Sequence, residues 1–538
     1  MAPKQGVAET LTPQHSGIRR SGHPYLKAFR RPMQTAIKNE IKRLCAKSFK
    51  KIRDTDEKDT EYREKFLRRT GIVAAKPQPP AKLPHSERHF DPRYCSRHAN
   101  FLAKTIWKKV LESTYQPSPA KSFDIPKPKG GTRTIMSFSI PDSAVANVVL
   151  RRARDRNIKR LSHHSYAYHP HKNVFDAILA LNGRFNDDKI FSVQIDFEKY
   201  FDNIPSGYLQ KITDDKNFLS LTPHERYVFR SFWHHRYLAS NEYATGTPKR
   251  RTRGTPQGSS ISLLLANVAS HNLDLALETA PGKFVRYADD VTAICHSYED
   301  AQKIEKCFVE HCKSSGIKIN EQKSPGLAII SRKTEELRSS QHIDYLGYRF
   351  TKDGLTVPNH IESRIKSKIS RLLNIYLVHY PRKFGFKANR VGHGPNYDWD
   401  LLGLVTEVRK YLYGGLDERQ IQDFIAEGNQ LPIMRGLMGF YALIEQKDRL
   451  QALDGWLVDV VYRTMRARRD LLLTKYSHPN LLPTKSDLIT GIWLDSDAWN
   501  ETTPYPETKL PSFVRGWRAA RKHYFTFGLE DVQPPNYY

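Results

Sequence analysis

Residues 286–290 read Arg-Tyr-Ala-Asp-Asp and lie between two short β-prone runs, Phe284-Val285 and Val291-Thr292-Ala293-Ile294. That pattern predicts a tight hairpin that carries two adjacent carboxylates, Asp289 and Asp290. Charges so close repel each other, so something must neutralise them. In a chain of net charge +29 the candidate is a divalent metal carrying phosphates. An Asp-Asp turn standing alone is more often simply solvated, so the residues around it decide.

The 538 residues suffice for two or three domains, with 39% hydrophobic and 27% charged residues as in a globular protein. The basic excess, spread along the chain, attracts polyanions and speeds their capture. No run approaches the ~20 apolar residues of a membrane-crossing helix, and the N-terminus lacks the apolar core of a secretory signal. A cytoplasmic protein with no membrane partner is expected. Of the five cysteines, Cys45, Cys95, Cys295, Cys307 and Cys312, no pair has C-x-x-C spacing. Ile304, Cys307, Phe308, His311 and Cys312 recur at helical spacing, so Cys307 and Cys312 read as reduced core residues.

Four regions are expected. Residues 1–88 form a basic extension and linker, and residues 1–70 alone hold 18 Lys+Arg against 8 Asp+Glu. Within it, Ile37, Ile41, Leu44 and Ile52 share one side of a helix from about Met33 to Arg53, with Lys38, Lys42, Arg43, Lys50 and Lys51 on the other. That basic side is either a solvated face or a phosphate-binding one. Lys76–Pro84 is proline-rich and reads as a linker; a helix over about Ser96–Glu112 follows. Residues 89–355 alternate strands and helices: a half-buried strand ends at Asp196, a helix opens after Gly258, and Ile317–Ile319 form a short strand. Residues 356–450 and 451–538 read as mostly helical, with helices over Ile361–Val378, Leu401–Tyr413, Ile433–Gln446 and Leu450–Leu472 and an irregular last 45 residues. The class is α+β with an antiparallel sheet at its centre.

Asp196 joins Asp289 and Asp290 as a third carboxylate, at a strand end beside the hairpin. Joining a nucleotide to a 3′-hydroxyl requires lowering the hydroxyl's pKa and stabilising charge at the phosphorus. Two metals ~3.5–4 Å apart do both, and magnesium takes carboxylate, water and phosphate oxygens.

The ordered set around these residues resembles the reverse transcriptases. FSVQIDFEKYFDNI (191–204), GTPQGSSISLLLANV (254–268), FVRYADDVTAI (284–294) and GIKINEQKS (316–324) resemble that family's four palm motifs. IDYLGYRF (343–350) resembles the strand that grips the primer end, and IPKPKGGTRTI (125–135) the fingers segment that holds the incoming triphosphate. The resemblance covers about residues 90–350. It implies a right-hand polymerase fold of fingers, palm and helical thumb with helical N- and C-terminal extensions, and RNA-directed DNA polymerase activity.

The roles follow from the resemblance. Asp196, Asp289 and Asp290 carry two magnesium ions, with manganese the alternative, and Asp289 binds more directly than Asp290. Phe201 is the steric gate against a ribose 2′-hydroxyl. Gln257 and Tyr287 lie at the incoming nucleotide, and Gly258 permits close backbone approach. Lys129 and Arg133, with Lys127 a lesser candidate, face the triphosphate. Lys323 is a general acid for pyrophosphate. Ser165–His169 is a template contact, although many relatives carry arginine where His169 stands.

After the Pro-Gln this chain reads Gly258-Ser259-Ser260-Ile261-Ser262-Leu263, where intron and retron enzymes usually have Gly-Gly-x-x-Ser-Pro. The serine variant resembles bacterial enzymes of the unknown and abortive-infection groups, which implies antiviral defence with a dedicated noncoding RNA as template, dNTPs as substrates and DNA as product. The alternatives are a group II intron or retron enzyme, or a non-catalytic RNA-binding scaffold. The long C-terminal region implies RNA binding or a homo-oligomer. Tyr537 and Tyr538 read as part of an ordinary tail rather than a protein primer.

Overall fold

The computed structural model describes residues 24–76, 83–127, 130–183, 189–331, 339–392, 397–428, 431–480, 482–495, 505–529 and 532. Lys129, most of the expected linker, Tyr537 and Tyr538 lie outside them.

The chain opens with a single helix, α1 (Pro24–Thr70). It packs on α2 (Ala99–Leu111) and α3 (Ile140–Asn157) of the fingers. β1 (Ala120–Pro126) and β2 (Thr132–Ser137) form the fingers hairpin. α4 (Val174–Asn182) leads into β3 (Lys189–Ile195), and α5 (Pro223–Trp233) into β4 (Arg236–Ala239) and β5 (Lys249–Arg250). α6 (Ser260–Ala269) and α7 (His271–Thr279) precede the hairpin of β6 (Lys283–Tyr287) and β7 (Asp290–Cys295), and α8 (Tyr298–Ser315) follows it. β8 (Gly326–Ser331) and β9 (Ser339–Ser340) close the palm sheet, whose order is β6-β7-β3-β8-β9. Its pairs are antiparallel except β8–β9. The fingers sheet has the order β2-β1-β4-β5. β10 (His342–Tyr345), β11 (Tyr348–Thr351) and β12 (Gly354–Thr356) make a third sheet. The thumb and C-terminal region are built on α9 (Asn359–Leu373), α10 (Trp399–Tyr413), α11 (Glu418–Glu427), α12 (Asp448–Tyr476) and α13 (Phe513–Phe527). This is the α+β right-hand architecture expected.

Two apolar cores lie on the two sides of the palm sheet. One gathers fingers and palm residues such as Val193, Ile195, Leu265 and Phe308. The other runs from Phe175 and Ile190 through the thumb to Phe513 and Ala519. β3 is therefore covered on both faces rather than half-buried, and Ser192 is buried with its hydroxyl on the Ala328 carbonyl. A central strand cannot leave one face wet once helices cover both sides.

Several local expectations change. α1 runs well past Arg53, because its polar second half is laced with ion pairs one turn apart, Asp59–Arg63 at 2.9 Å and Glu61–Lys65 at 2.7 Å. Met33, Ile37, Ile41 and Cys45 are its buried face on the fingers, whereas Ile52 is exposed. At the far end Phe66 packs edge-on against Tyr380 and Phe384 of the thumb, and the Arg69 guanidinium lies 3.8 Å from the Tyr376 ring centre. One helix thus bridges fingers and thumb. Ile433–Gln446 is not a helix beyond Leu437–Phe440, since Gly436 and Gly439 press against neighbouring backbone and the following residues pair with Leu355. The last 45 residues contain α13, capped by Ser512 and burying Phe513, Gly516, Ala519, Ala520 and His523. The 343–350 strand is a hairpin turning at Leu346-Gly347. Ile317–Ile319 contributes one bridge, Ile319 to Phe197. Cys307 and Cys312 are half-buried beside the stripe of Ile304, Phe308 and His311.

Candidate active site

The register of the palm sheet assembles the three aspartates. Ile195 of β3 pairs with Val291 of β7, so Asp196, one residue on, meets the level of Asp290. Tyr287 pairs with Asp290 across the hairpin, leaving Ala288 and Asp289 as a two-residue turn. Ala288 holds a φ of 62°, a conformation that strains a residue with a Cβ by about 1–2 kcal/mol.

That strain is held by a buried polar group beneath the turn. Arg286 donates to both carboxylate oxygens of Asp274, at 2.6 and 2.5 Å, to Asn267 Oδ1 at 3.0 Å and to the Ala288 carbonyl at 2.9 Å. Asn267 in turn accepts from Ser165 Oγ and donates to the Ala167 carbonyl. The backbone of 164–166 also pairs along β6, with Arg286 N donating to His164 O and Tyr166 N to Arg286 O. Sequence reading missed Arg286, Asp274 and Asn267. The available signal was an arginine at an inward register position of a strand, which demands a buried carboxylate partner.

The electrostatics show an uncompensated site. Burial raises the Asp196 carboxyl, against the pull of Lys323, whose Nζ lies 3.9 Å away. Burial and the charge of Asp196 raise Asp289, while Arg133 and Arg286 oppose the rise. Desolvation, then Asp289, then Asp196 push Asp290 up to about 7. Asp290 is nevertheless exposed to solvent and Asp289 half-buried, so the crowd of carboxylates at the sheet end is accessible.

The donor set is all oxygen and carries unneutralised negative charge, which fits a hard divalent cation. Among the described residues no group of three His, Cys, Asp or Glu side chains closes around a metal position. Such an open set suits an ion that keeps waters and takes phosphate oxygens.

Phe201 is half-buried on the short helix Tyr200–Asn203, its ring edge-on to Tyr200. Its carbonyl accepts from Thr255 N at 2.6 Å. Gln257 donates from Nε2 to Asp202 at 3.1 Å, and its carbonyl accepts from Met136 N of β2 at 2.7 Å. Gly258, with φ 124°, is packed so that a Cβ would overlap the Met136 carbonyl. Its close approach is therefore to the fingers strand, and the Thr-Pro-Gln-Gly loop is the seam between fingers and palm. Tyr287 is half-buried at the hairpin base, and Tyr345 Oη donates to the Val285 and Asp290 carbonyls beside it. Arg133 is exposed on β2 with its charge reaching Asp289, and Lys127 is half-buried at the turn before it. His169 shares a cavity wall with Tyr168 and with Arg154 of α3.

The loop bearing Lys323 is bound to the end of β3. Asn320 N donates to Asp196 O at 2.8 Å, and Ser324 Oγ accepts from Asp196 N at 3.0 Å. No described helix is long and apolar enough to cross a membrane.

Comparison with known proteins finds similarity over the same region. Residues 125–350 match the family described as reverse transcriptase (RNA-dependent DNA polymerase). The COX1/OXI3 intron 1 protein of Saccharomyces cerevisiae is 24% identical over 395 residues, covering 62% of this chain and 44% of that protein. This chain thus spans less than half the length of that relative. Solved structures resemble it only loosely. The truncated apo telomerase from Candida tropicalis is 14% identical with a TM-score of 0.33, covering 50% of this chain and 67% of that one. The telomerase from Candida albicans with a fragment of telomeric RNA is 13% identical with a TM-score of 0.35, covering 77% and 69%. The match over 125–350 spans the fingers hairpin, all three aspartates and the β10–β11 hairpin, and this stretch of the chain is similar to the reverse transcriptase family.

Proposed function

We propose that the chain copies a dedicated noncoding RNA into DNA by two-metal nucleotidyl transfer, as part of antiviral defence. The observation that carries the polymerase reading is the convergence of Asp196, Asp289 and Asp290 at one end of the palm sheet, mutually repelling and raised in pKa. These three would hold two magnesium ions, with manganese the alternative, and the ions would activate the primer 3′-hydroxyl and stabilise the departing pyrophosphate.

The chain's own residues do the rest. Arg133, with its charge already reaching Asp289, meets the triphosphate, and Lys129 joins it. Lys323, beside Asp196, holds the proton that pyrophosphate takes on leaving. The Phe201 ring, edge-on to Tyr200 and with its backbone carbonyl held by Thr255, bars a 2′-hydroxyl. Gln257 and Tyr287 border the nucleotide.

The defence role rests on the Ser259-Ser260 variant of the second motif. A second reading, a mobile-intron enzyme, is favoured by the match to an intron-encoded protein. Sequencing the RNA that co-purifies with the full chain separates them: a short noncoding RNA supports the first, an intron RNA the second. Primer extension on that RNA with dNTPs and magnesium tests the shared activity. No DNA product would end both readings.

A further inference from the structure

On the fingers, away from the aspartates, lies a cavity of about 270 Å³. Pro117, Tyr227, Arg230, His234, Arg236 and Arg250 bound it. Its charge is unusual. Arg236 and Arg250 are direct cross-strand partners in the β4–β5 ladder, both exposed. Like charges set opposite each other destabilise a sheet. Arg230 is neutralised by Asp214, with Nη2 at 2.6 Å from both oxygens. Neither Arg236 nor Arg250 has a carboxylate partner among the described residues. Burial, with the charges of Arg250 and Arg230, lowers the His234 imidazole below its ordinary pKa against a backbone hydrogen bond with Arg251 that raises it. Two guanidinium groups without a carboxylate partner among the described residues thus flank a cavity whose walls include Tyr227, His234 and Pro117.

That combination is the recognition chemistry of a single-stranded nucleotide: a phosphate between cations and a base against flat, neutral rings. The cavity is of the size of one such unit. It also connects to the site. The next residue after Arg250, Arg251, pairs with Asp202 at 2.7 Å, and Asp202 accepts the Gln257 amide.

We propose that this cavity holds one nucleotide of a single strand, its phosphate between Arg236 and Arg250 and its base on Tyr227 and His234. The inference rests on the reading of the chain as a nucleic-acid polymerase, but its test is independent of catalysis. The strand is template RNA or product DNA, which share the phosphate chemistry.

The test is fluorescence anisotropy on the full chain, without dNTPs, using labelled octauridylate and octadeoxythymidylate across a salt series. The R236Q/R250Q variant should bind the preferred strand about tenfold more weakly, with a salt slope lower by about 1, as expected when one phosphate is no longer neutralised. The preferred oligonucleotide identifies the source. R236K/R250K should keep the slope. Because the substitution to glutamine removes repulsion, thermal unfolding of R236Q/R250Q should occur at or above the wild-type temperature. Y227F should bind normally and Y227L weakly. Unchanged affinity and slope in R236Q/R250Q, or an equal loss in a control pair on α8, K303Q/K306Q, would overturn the proposal. Polymerase failure with intact oligonucleotide binding would count against the functional reading alone.

Discussion

The Arg286 guanidinium donates to the Ala288 carbonyl at 2.9 Å from a position with no solvent exposure, and so ties strand β6 to the turn that carries Asp289. The turn is strained, the arginine is buried, and Asp274 neutralises it with two short bonds. The turn that carries the carboxylates therefore rests on an ion pair laid down by a neighbouring helix. Removing one partner of a buried pair leaves the other charge stranded.

Asp274→Asn should destabilise the fold by about 3–5 kcal/mol, read by urea unfolding, because Arg286 stays charged and buried. Arg286→Met together with Asp274→Leu should recover most of that stability. It should not recover polymerisation, because the Ala288 carbonyl loses its donor. Stability and activity recovering together would refute a positioning role for Arg286.

The raised pKa of Asp290 makes a pH prediction whose sign is fixed. Its folded pKa of about 7 lies above the ordinary carboxylate value, so the folded state holds the proton more tightly than the unfolded chain. The stability associated with this group is present at low pH and is lost as pH rises from about 4 through 7. In metal-free buffer, wild type should lose stability over that range relative to Asp290→Asn. Magnesium should restore it at pH 8. Parallel stability profiles for the two proteins would contradict the raised value.

Glu40 docks α1 on the fingers, accepting from Arg43, Asn147 and Arg151. Burial opposes ionisation, but these bonds prevail and hold its carboxyl down to about 2. Here the folded pKa is depressed, so the stabilisation is full above the ordinary value and lost as pH falls toward 2. Glu40→Gln should cost about 1–3 kcal/mol at neutral pH, a gap that narrows below pH 4. A gap constant with pH would exclude the Glu40 charge as its cause.

Gly258→Ala tests the fingers–palm seam. A methyl group there meets the Met136 carbonyl while the backbone sits at φ 124°, so about 1–3 kcal/mol of strain is expected. Primer extension should fall more than the melting temperature alone predicts. Normal activity would mean that the seam does not set the position of β2.

How much of this was legible in the sequence depends on the range of the interaction. The hairpin and the strand ending at Asp196 follow from alternation, which is local, the order of the motifs follows from resemblance to a family, and the palm register then places Asp196 beside Asp290. The helix α13 escaped because tryptophan and charged residues crowd its sequence, although Phe513, Gly516 and Ala520 mark a buried face. The run Leu437–Ile444 misled in the opposite direction, since continuous apolarity marks burial and not helix. The Arg286–Asp274 pair joins a strand to a helix, and no local pattern announces a partner chosen by tertiary packing. The bridge of α1 from fingers to thumb was hidden for the same reason, as its two docking faces, at Ile41 and Phe66, are separated by an exposed middle.

Magnesium-dependent primer extension with dNTPs on an RNA template, comparing wild type with Asp289→Asn/Asp290→Asn, tests the central claim most directly. Loss of about 10³-fold or more in the variant, with its melting temperature unchanged or raised because a repulsive pair is gone, is the predicted result. Equal DNA synthesis by the two proteins would contradict the assignment of these carboxylates to the chemistry.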